Sequence, residues 1–133
     1  MTLKPEQLRY LSSHEWASHG TDGDSQIATV GISAFAVEQL TDLVFMELPK
    51  VGTQVKSGQQ FGEVESVKAV SPIYSPVSGE VVAVNDGLVN RLEVLGSDPY
   101  VEGWMIKVRM SNPAELDQLL DYSAYEKQCA ENG

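Results

Sequence analysis

Cysteine occurs once in this chain of 133 residues, at Cys129, so no internal disulfide is available and stability has to come from a packed core. At this length folding buries roughly two-thirds of the extended surface, enough for a core without cross-links or structural metals. Basic residues are scarce as well: 9 Lys and Arg stand against 19 Asp and Glu, a formal net charge of −10. Phosphate affinity is built on clustered Lys and Arg, so nucleic-acid binding is excluded and a charged partner is expected to be basic. No run of apolar residues is longer than four, as at Val81 to Val84, whereas a membrane-spanning helix needs about 20. Met1-Thr2-Leu3-Lys4-Pro5 is not followed by an apolar or Arg-rich leader segment, so the expected location is cytoplasmic, or an organelle such as the mitochondrial matrix for a mature eukaryotic chain.

Catalytic and ligand-binding patterns are missing too. His14-Glu15-Trp16-Ala17-Ser18-His19 resembles H-E-x-x-H, but its histidines are one residue too far apart. On a helix they would diverge by ~140°, and on a strand they would face opposite sides, so no metal site is expected. Gly52, Gly58 and Gly62 fit neither phosphate-binding glycine pattern, and no G-x-S-x-G occurs. Asp22-Gly23-Asp24 lacks the remaining ligands of a calcium loop, and Asn85-Asp86-Gly87 is turn chemistry. Cys129 has no histidine near it in sequence and reads as a surface thiol. An enzyme with its own active site is therefore not expected.

What is present reads as one mainly β domain over residues 1–133, with a core from about 10 to 126 and short tails. Gly20-Thr21-Asp22-Gly23-Asp24 predicts a hairpin turn opening an antiparallel sheet. Ser33 can cap a short helix with Phe35, Ala36 and Leu40 near one face, after which Leu43 to Met46 returns to strand character. Residues 51 to 89 are rich in Val and Gly and read as all-β. Pro49-Lys50-Val51-Gly52 and Pro76-Val77-Ser78-Gly79 share P-x-x-G, with Val55 and Val82 at the same offset, a faint sign of two similar halves. Asn112-Pro113-Ala114-Glu115 predicts a capped helix through Leu120, and Ser123-Ala124-Tyr125-Glu126 predicts a second short helix ending before the polar tail 130–133.

Between the two Val/Gly-rich segments stands Glu65-Ser66-Val67-Lys68-Ala69, with the lysine at a predicted turn. A lysine at a turn is ordinarily a solvated charge. Here an acidic residue precedes it by three positions, small or apolar residues flank it, and Gly52 and Gly79 bracket it. That local layout is similar to a lipoyl attachment site.

The likeness extends along the chain through His14-Glu15-Trp16, Ala28-Thr29-Val30-Gly31-Ile32, Val44-Phe45-Met46-Glu47-Leu48-Pro49, the segment from Phe61 to Ala69, Ser75-Pro76-Val77-Ser78-Gly79-Glu80-Val81, Asp98-Pro99-Tyr100 and Gly103-Trp104-Met105-Ile106-Lys107. In order and spacing these resemble the H proteins of the glycine cleavage system. A generic lipoyl domain would lack the His14-Glu15-Trp16 and Gly103-Trp104 segments, and a biotinyl domain usually flanks its lysine with methionines, where Val67 and Ala69 stand here. Two departures are present. The family usually has an acidic residue where Pro72 stands, and Arg91 to Ser97 replaces its usual approach to Asp98-Pro99-Tyr100.

The resemblance implies a flattened antiparallel β sandwich or partly open barrel of the lipoyl-domain type, with short helices. It implies lipoic acid in amide linkage to Lys68, which takes the formal charge from −10 to −11. It also implies a non-catalytic, monomeric carrier of the aminomethyl group of glycine. Its implied partners are a pyridoxal-phosphate glycine decarboxylase, a tetrahydrofolate-dependent aminomethyltransferase, an FAD- and NAD-dependent dihydrolipoyl dehydrogenase and the lipoyl-attaching enzymes. Glu15 is the candidate contact for the loaded arm, with a solvated carboxylate on an edge strand as the bland alternative. Glu65 and Gly79 are candidates for recognition by the attaching enzymes or for hairpin geometry. A lipoyl relay protein serving 2-oxo acid dehydrogenase complexes is the alternative function.

Overall fold

The computed structural model describes residues 8–40, 43–67, 69–100 and 102–132. Among the described residues nine strands form two antiparallel sheets. The larger has the order β1 (Arg9–Tyr10), β2 (Glu15–Asp22), β3 (Ser25–Ile32), β9 (Ile106–Met110), β8 (Gly79–Val84), β5 (Gln54–Val55), and the smaller has the order β4 (Leu43–Glu47), β6 (Gln60–Ser66), β7 (Val70–Tyr74). The hairpin expected at 20–24 closes between Asp22 and Ser25, which pair with each other. Strand alternation sets the inner layer: Val30, Ile106 and Val108 from the larger sheet and Met46, Val64 and Ile73 from the smaller are buried in one shared cluster. This is the expected sandwich of the lipoyl-domain type.

A second, aromatic cluster lies on the outer face of the larger sheet. Trp16 pairs across the strands with Gly31, where a Cβ would stand 2.7 Å from the indole ring, so the residue facing Trp16 has to be glycine. The buried indole N–H donates to Ile32 O at 3.0 Å. Tyr10, at the edge of the sheet, stacks on Tyr125 of α3 (Tyr122–Asn132) with ring centroids 4.2 Å apart. Leu8, Tyr10, Trp16 and Tyr125 are buried together, so α3 is docked by aromatic packing.

The short helices depart from expectation in their details. Ser33 does cap α1 (Ala34–Leu40), its Oγ accepting the Ala36 N–H at 3.3 Å. The core-facing residues, however, are Ala36, Val37 and Leu40, while Phe35 turns to the His14 ring. The segment expected as a helix from Asn112 is a 3₁₀ run over Pro113–Gln118, and the Asn112 side chain makes no cap bond. Glu115 turns instead to Ser78, accepting its N–H at 2.7 Å and its O–H at 2.8 Å, because that partner is fixed in the fold. The last helix is capped by Asp121 rather than Ser123, through the Ala124 N–H at 2.8 Å, and it runs on to Asn132, into the residues expected as a tail. Cys129 is half-buried against the aromatic cluster rather than a surface thiol. The P-x-x-G echo ends early: β5 and β8 pair with each other, but the counterpart of β6 at the same offset is the 3₁₀ run Asp86–Asn90. The unusual segment before Asp98 folds partly as α2 (Glu93–Ser97).

Candidate functional site

The segment Glu65 to Ala69 is placed by β6 and β7, whose pairing runs from Gln60 opposite Tyr74 to Glu65 opposite Val70. The connection is tight, because the Ser66 N–H donates to Ala69 O at 2.8 Å and the Ala69 N–H returns to Ser66 Oγ at 3.1 Å. Ser66 is buried, whereas Val67 is 71% and Val70 59% exposed, so a rigid base carries an open tip. Lys68 lies outside the described residues; its neighbours in the chain are this turn. Glu65 is half-buried on β6, between Phe45 of β4 and Val70 of β7 in register. Phe45 and Val70 are exposed on that row, while Met46 and Val64 on the next row point inward.

Gly79 is elsewhere. It opens β8, adjacent to Ser78, whose Oγ accepts the Ser57 N–H just ahead of β6, at the end remote from the β6–β7 connection. Its φ is +154° and a Cβ there would stand 2.0 Å from Arg109 O, so the backbone of β9 requires glycine.

Glu15 is the buried charged residue among the described ones, only 1% exposed. It is not a solvated carboxylate on an edge strand: β2 pairs with β1 and β3, and Glu15 stands opposite Ile32 on the inner face. Its Oε2 accepts the Tyr74 N–H at 2.8 Å and its Oε1 accepts the Ser13 O–H. Burial pushes the carboxyl above its usual 4.5, and these donors oppose the shift. The ion pairs found among the described residues, Arg91–Glu102 and Arg109–Glu80, leave Glu15 without a cation. The carboxylate thus sits at the far end of β7 from the lysine-bearing turn, desolvated and anchored by neutral donors.

His14 and His19 go separate ways, the first to Tyr125 Oη at 2.7 Å and the second to the Gln26 side chain. Among the described residues no three His, Cys, Asp or Glu side chains converge as metal ligands, and no helix is long and apolar enough to cross a membrane.

A family model described as glycine cleavage H-protein matches residues 8–132. The chain belongs to the glycine cleavage H-protein family. Among its relatives, the glycine cleavage system H protein of Rhodopirellula baltica is 54% identical over 134 residues, covering 100% of both chains. That of Gloeothece citriformis is 51% identical over 125 residues, covering 93% of this chain and 92% of its own. A crystal structure of a glycine cleavage system H protein from Mycobacterium marinum superposes with a TM-score of 0.84 at 39% identity, covering 96% of this chain and 99% of that one. H proteins are lipoate carriers, and membership makes this chain a carrier subunit of the glycine cleavage system.

For an H protein the geometry is apt: a stiff two-stranded base with an exposed turn, and a buried anion one strand-length away. Sequence reasoning overlooked Ser13, for which the spacing Ser13-x-Glu15 was the available signal. It also overlooked Tyr125, which reaches His14 from 111 residues along the chain and Ser33 from 92, separations that leave no local trace.

Proposed function

We propose that the chain carries lipoic acid in amide linkage on Lys68. In this reading it takes the aminomethyl group of glycine from a pyridoxal-phosphate glycine decarboxylase to a tetrahydrofolate-dependent aminomethyltransferase. A flavin- and NAD-dependent dihydrolipoyl dehydrogenase then returns it to the oxidised state. The observation that carries the reading is full-length family membership together with Glu65-Ser66-Val67-Lys68-Ala69 spanning the tight, exposed β6–β7 connection. Once bound, the lipoyl group supplies a disulfide that accepts two electrons and a carbon unit. The chain's own residues supply position. Ser66 stiffens the base of the turn by its bonds to Ala69, so the chain on either side of the lysine is held.

Glu15 is the proposed contact for the amine of the loaded arm. From Val70 to Tyr74 the strand advances about 13 Å. A lysine side chain extended by an eight-carbon acid spans roughly 14 Å at standard bond lengths, so an arm lying along β7 ends beside the carboxylate held at Tyr74. An anion already desolvated, and with no cation partner among the described residues, gains more from an ammonium group than a solvated one does. With Pro72 on β7 in place of the family's usual acid, the pairing falls more heavily on Glu15. Glu65, beside the turn, is the proposed recognition residue for lipoyl-attaching enzymes, and Gly79 serves the geometry of β8. We place the protein in the cytoplasm, as a non-catalytic monomer. Nothing in the fold or the relatives favours the lipoyl-relay alternative.

The test is reconstitution with a glycine decarboxylase and carbon dioxide exchange as readout. The lipoylated chain is expected to support exchange and Lys68→Arg to abolish it. Exchange by Lys68→Arg protein would overturn the assignment.

A further inference from the structure

The turn that precedes Glu15 has an unusual conformation. The Leu11 N–H donates to Glu15 O at 2.9 Å and the His14 N–H to Leu11 O at 3.0 Å, a tight hairpin turn that ends on a residue in the left-handed region. That residue is His14, at φ +85°, the one non-glycine with positive φ among the described residues. Glycine or asparagine fills such a position at least cost, so a histidine there has to be held by its surroundings.

Its ring is what is held. Nδ1 lies 2.7 Å from Tyr125 Oη, and the ring packs 4.9 Å from Phe35 and edge-on to Tyr125. Tyr125 Oη is also bonded to the buried Ser33 Oγ, which accepts the Ala36 N–H. Burial lowers the tendency of His14 to protonate, which favours a neutral ring with one donor and one acceptor nitrogen. With the Nε2–H tautomer the chain runs from Ala36 N–H to Ser33, Ser33 O–H to Tyr125 and Tyr125 O–H to His14 Nδ1; with the Nδ1–H tautomer His14 donates to Tyr125. In either case the β1–β2 turn, the start of α1 and the body of α3 are tied at one point.

We infer that His14 is a positioning residue: the Tyr125–Ser33 clamp on its ring keeps the turn left-handed, and this conformation holds Ser13 Oγ and the Glu15 carboxylate together for the incoming amine. His14 stands between those two residues, so relaxation of its φ swings Ser13 away and frees the carboxylate from Tyr74. The inference rests on the role proposed for Glu15.

The test compares Tyr125→Phe, which keeps the Tyr10 stack and removes the hydroxyl, with His14→Asn, which tolerates the left-handed region but is too short for the clamp. Two readouts are used. In the unlipoylated chain, the NMR shift and exchange rate of the Tyr74 amide report the bond to Glu15. In the lipoylated, aminomethyl-loaded chain, the rate of spontaneous amine release reports protection. Both variants should displace the Tyr74 amide signal and raise release about fivefold, the scale of one lost hydrogen bond. The double variant should be no worse than either single one, because the two residues act as a unit. Variants that lower only the melting temperature, with amide signal and release unchanged, would overturn the inference. Glu15→Gln separates the two ideas: unchanged release in Glu15→Gln overturns the Glu15 reading, and the Tyr74 amide in the unlipoylated chain still decides the clamp.

Discussion

Glu15 of the larger sheet and Tyr74 of the smaller sheet are joined directly, carboxylate Oε2 to backbone N–H at 2.8 Å. The bond crosses between the two sheets at the end of the strand that leads away from the lysine-bearing turn. A buried acid is a poor stabiliser, and its presence here fits the role proposed for Glu15 toward the carrier arm.

Glu15→Gln is expected to raise stability near pH 7 by about 1 kcal/mol, since the amide keeps an acceptor for Tyr74 and removes a buried charge. The sign follows from the raised carboxyl pKa. In that window the folded state binds more protons than the unfolded one, so the favourable contribution of Glu15 is complete below its unfolded value and is lost as pH rises through its folded value. Urea titrations from pH 4 to 8 should therefore show wild type falling relative to Glu15→Gln as pH rises. A less stable Glu15→Gln at pH 7 would contradict this.

His14 has the opposite dependence. Burial lowers its pKa below 6.5. Its contribution is complete above the unfolded value and is lost as pH falls through the folded value, where the unfolded state holds more protons. Against a His14→Gln reference, wild type should lose stability on acidification from pH 7 to 5, measured by the same titrations.

Lys68→Arg keeps a cation but offers no amine for acylation under the attaching enzymes. Intact mass of protein expressed with those enzymes should show one lipoyl adduct on wild type and none on the variant. An adduct retained by Lys68→Arg would place the site on another lysine.

Gly31→Ala would push a methyl group to within 2.7 to 2.9 Å of three indole atoms of Trp16. Overpacking of this kind costs about 1–3 kcal/mol. The variant should unfold at lower urea, with an altered tryptophan fluorescence spectrum in the folded state.

With a formal charge of −10, encounters with basic partner clefts should weaken with salt, because at ~0.15 M the attraction is screened beyond ~8 Å. The apparent KM of a glycine decarboxylase for the lipoylated chain should rise with ionic strength, after correction for salt effects on the enzyme itself. A salt-independent KM would point to an apolar docking surface instead.

Local chemistry carries much of this protein in its sequence. The turn at 22–25 follows from Asp-Gly-Asp, the start of α1 from Ser33, and the β6–β7 connection from a lysine between two Val/Gly-rich segments, because turns and caps depend on residues within a few positions of one another. The tertiary structure decided the rest. Glu115 forsook its local cap for Ser78, and the last helix took Asp121 as its cap, since a partner fixed by the fold outweighs a marginal local bond. Whether Glu15 lay at an exposed edge or inside could not be read from His14-Glu15-Trp16, because a strand pattern shows alternation but not which sheet covers which face. Burial of Glu15 and the left-handed His14 both depend on chain segments that arrive from far away: Tyr74 lies 59 residues along from Glu15, and Tyr125 lies 111 from His14. Contacts over such separations arise only when the sheets pack and α3 docks, which is why the anchored carboxylate was invisible until the chain was folded.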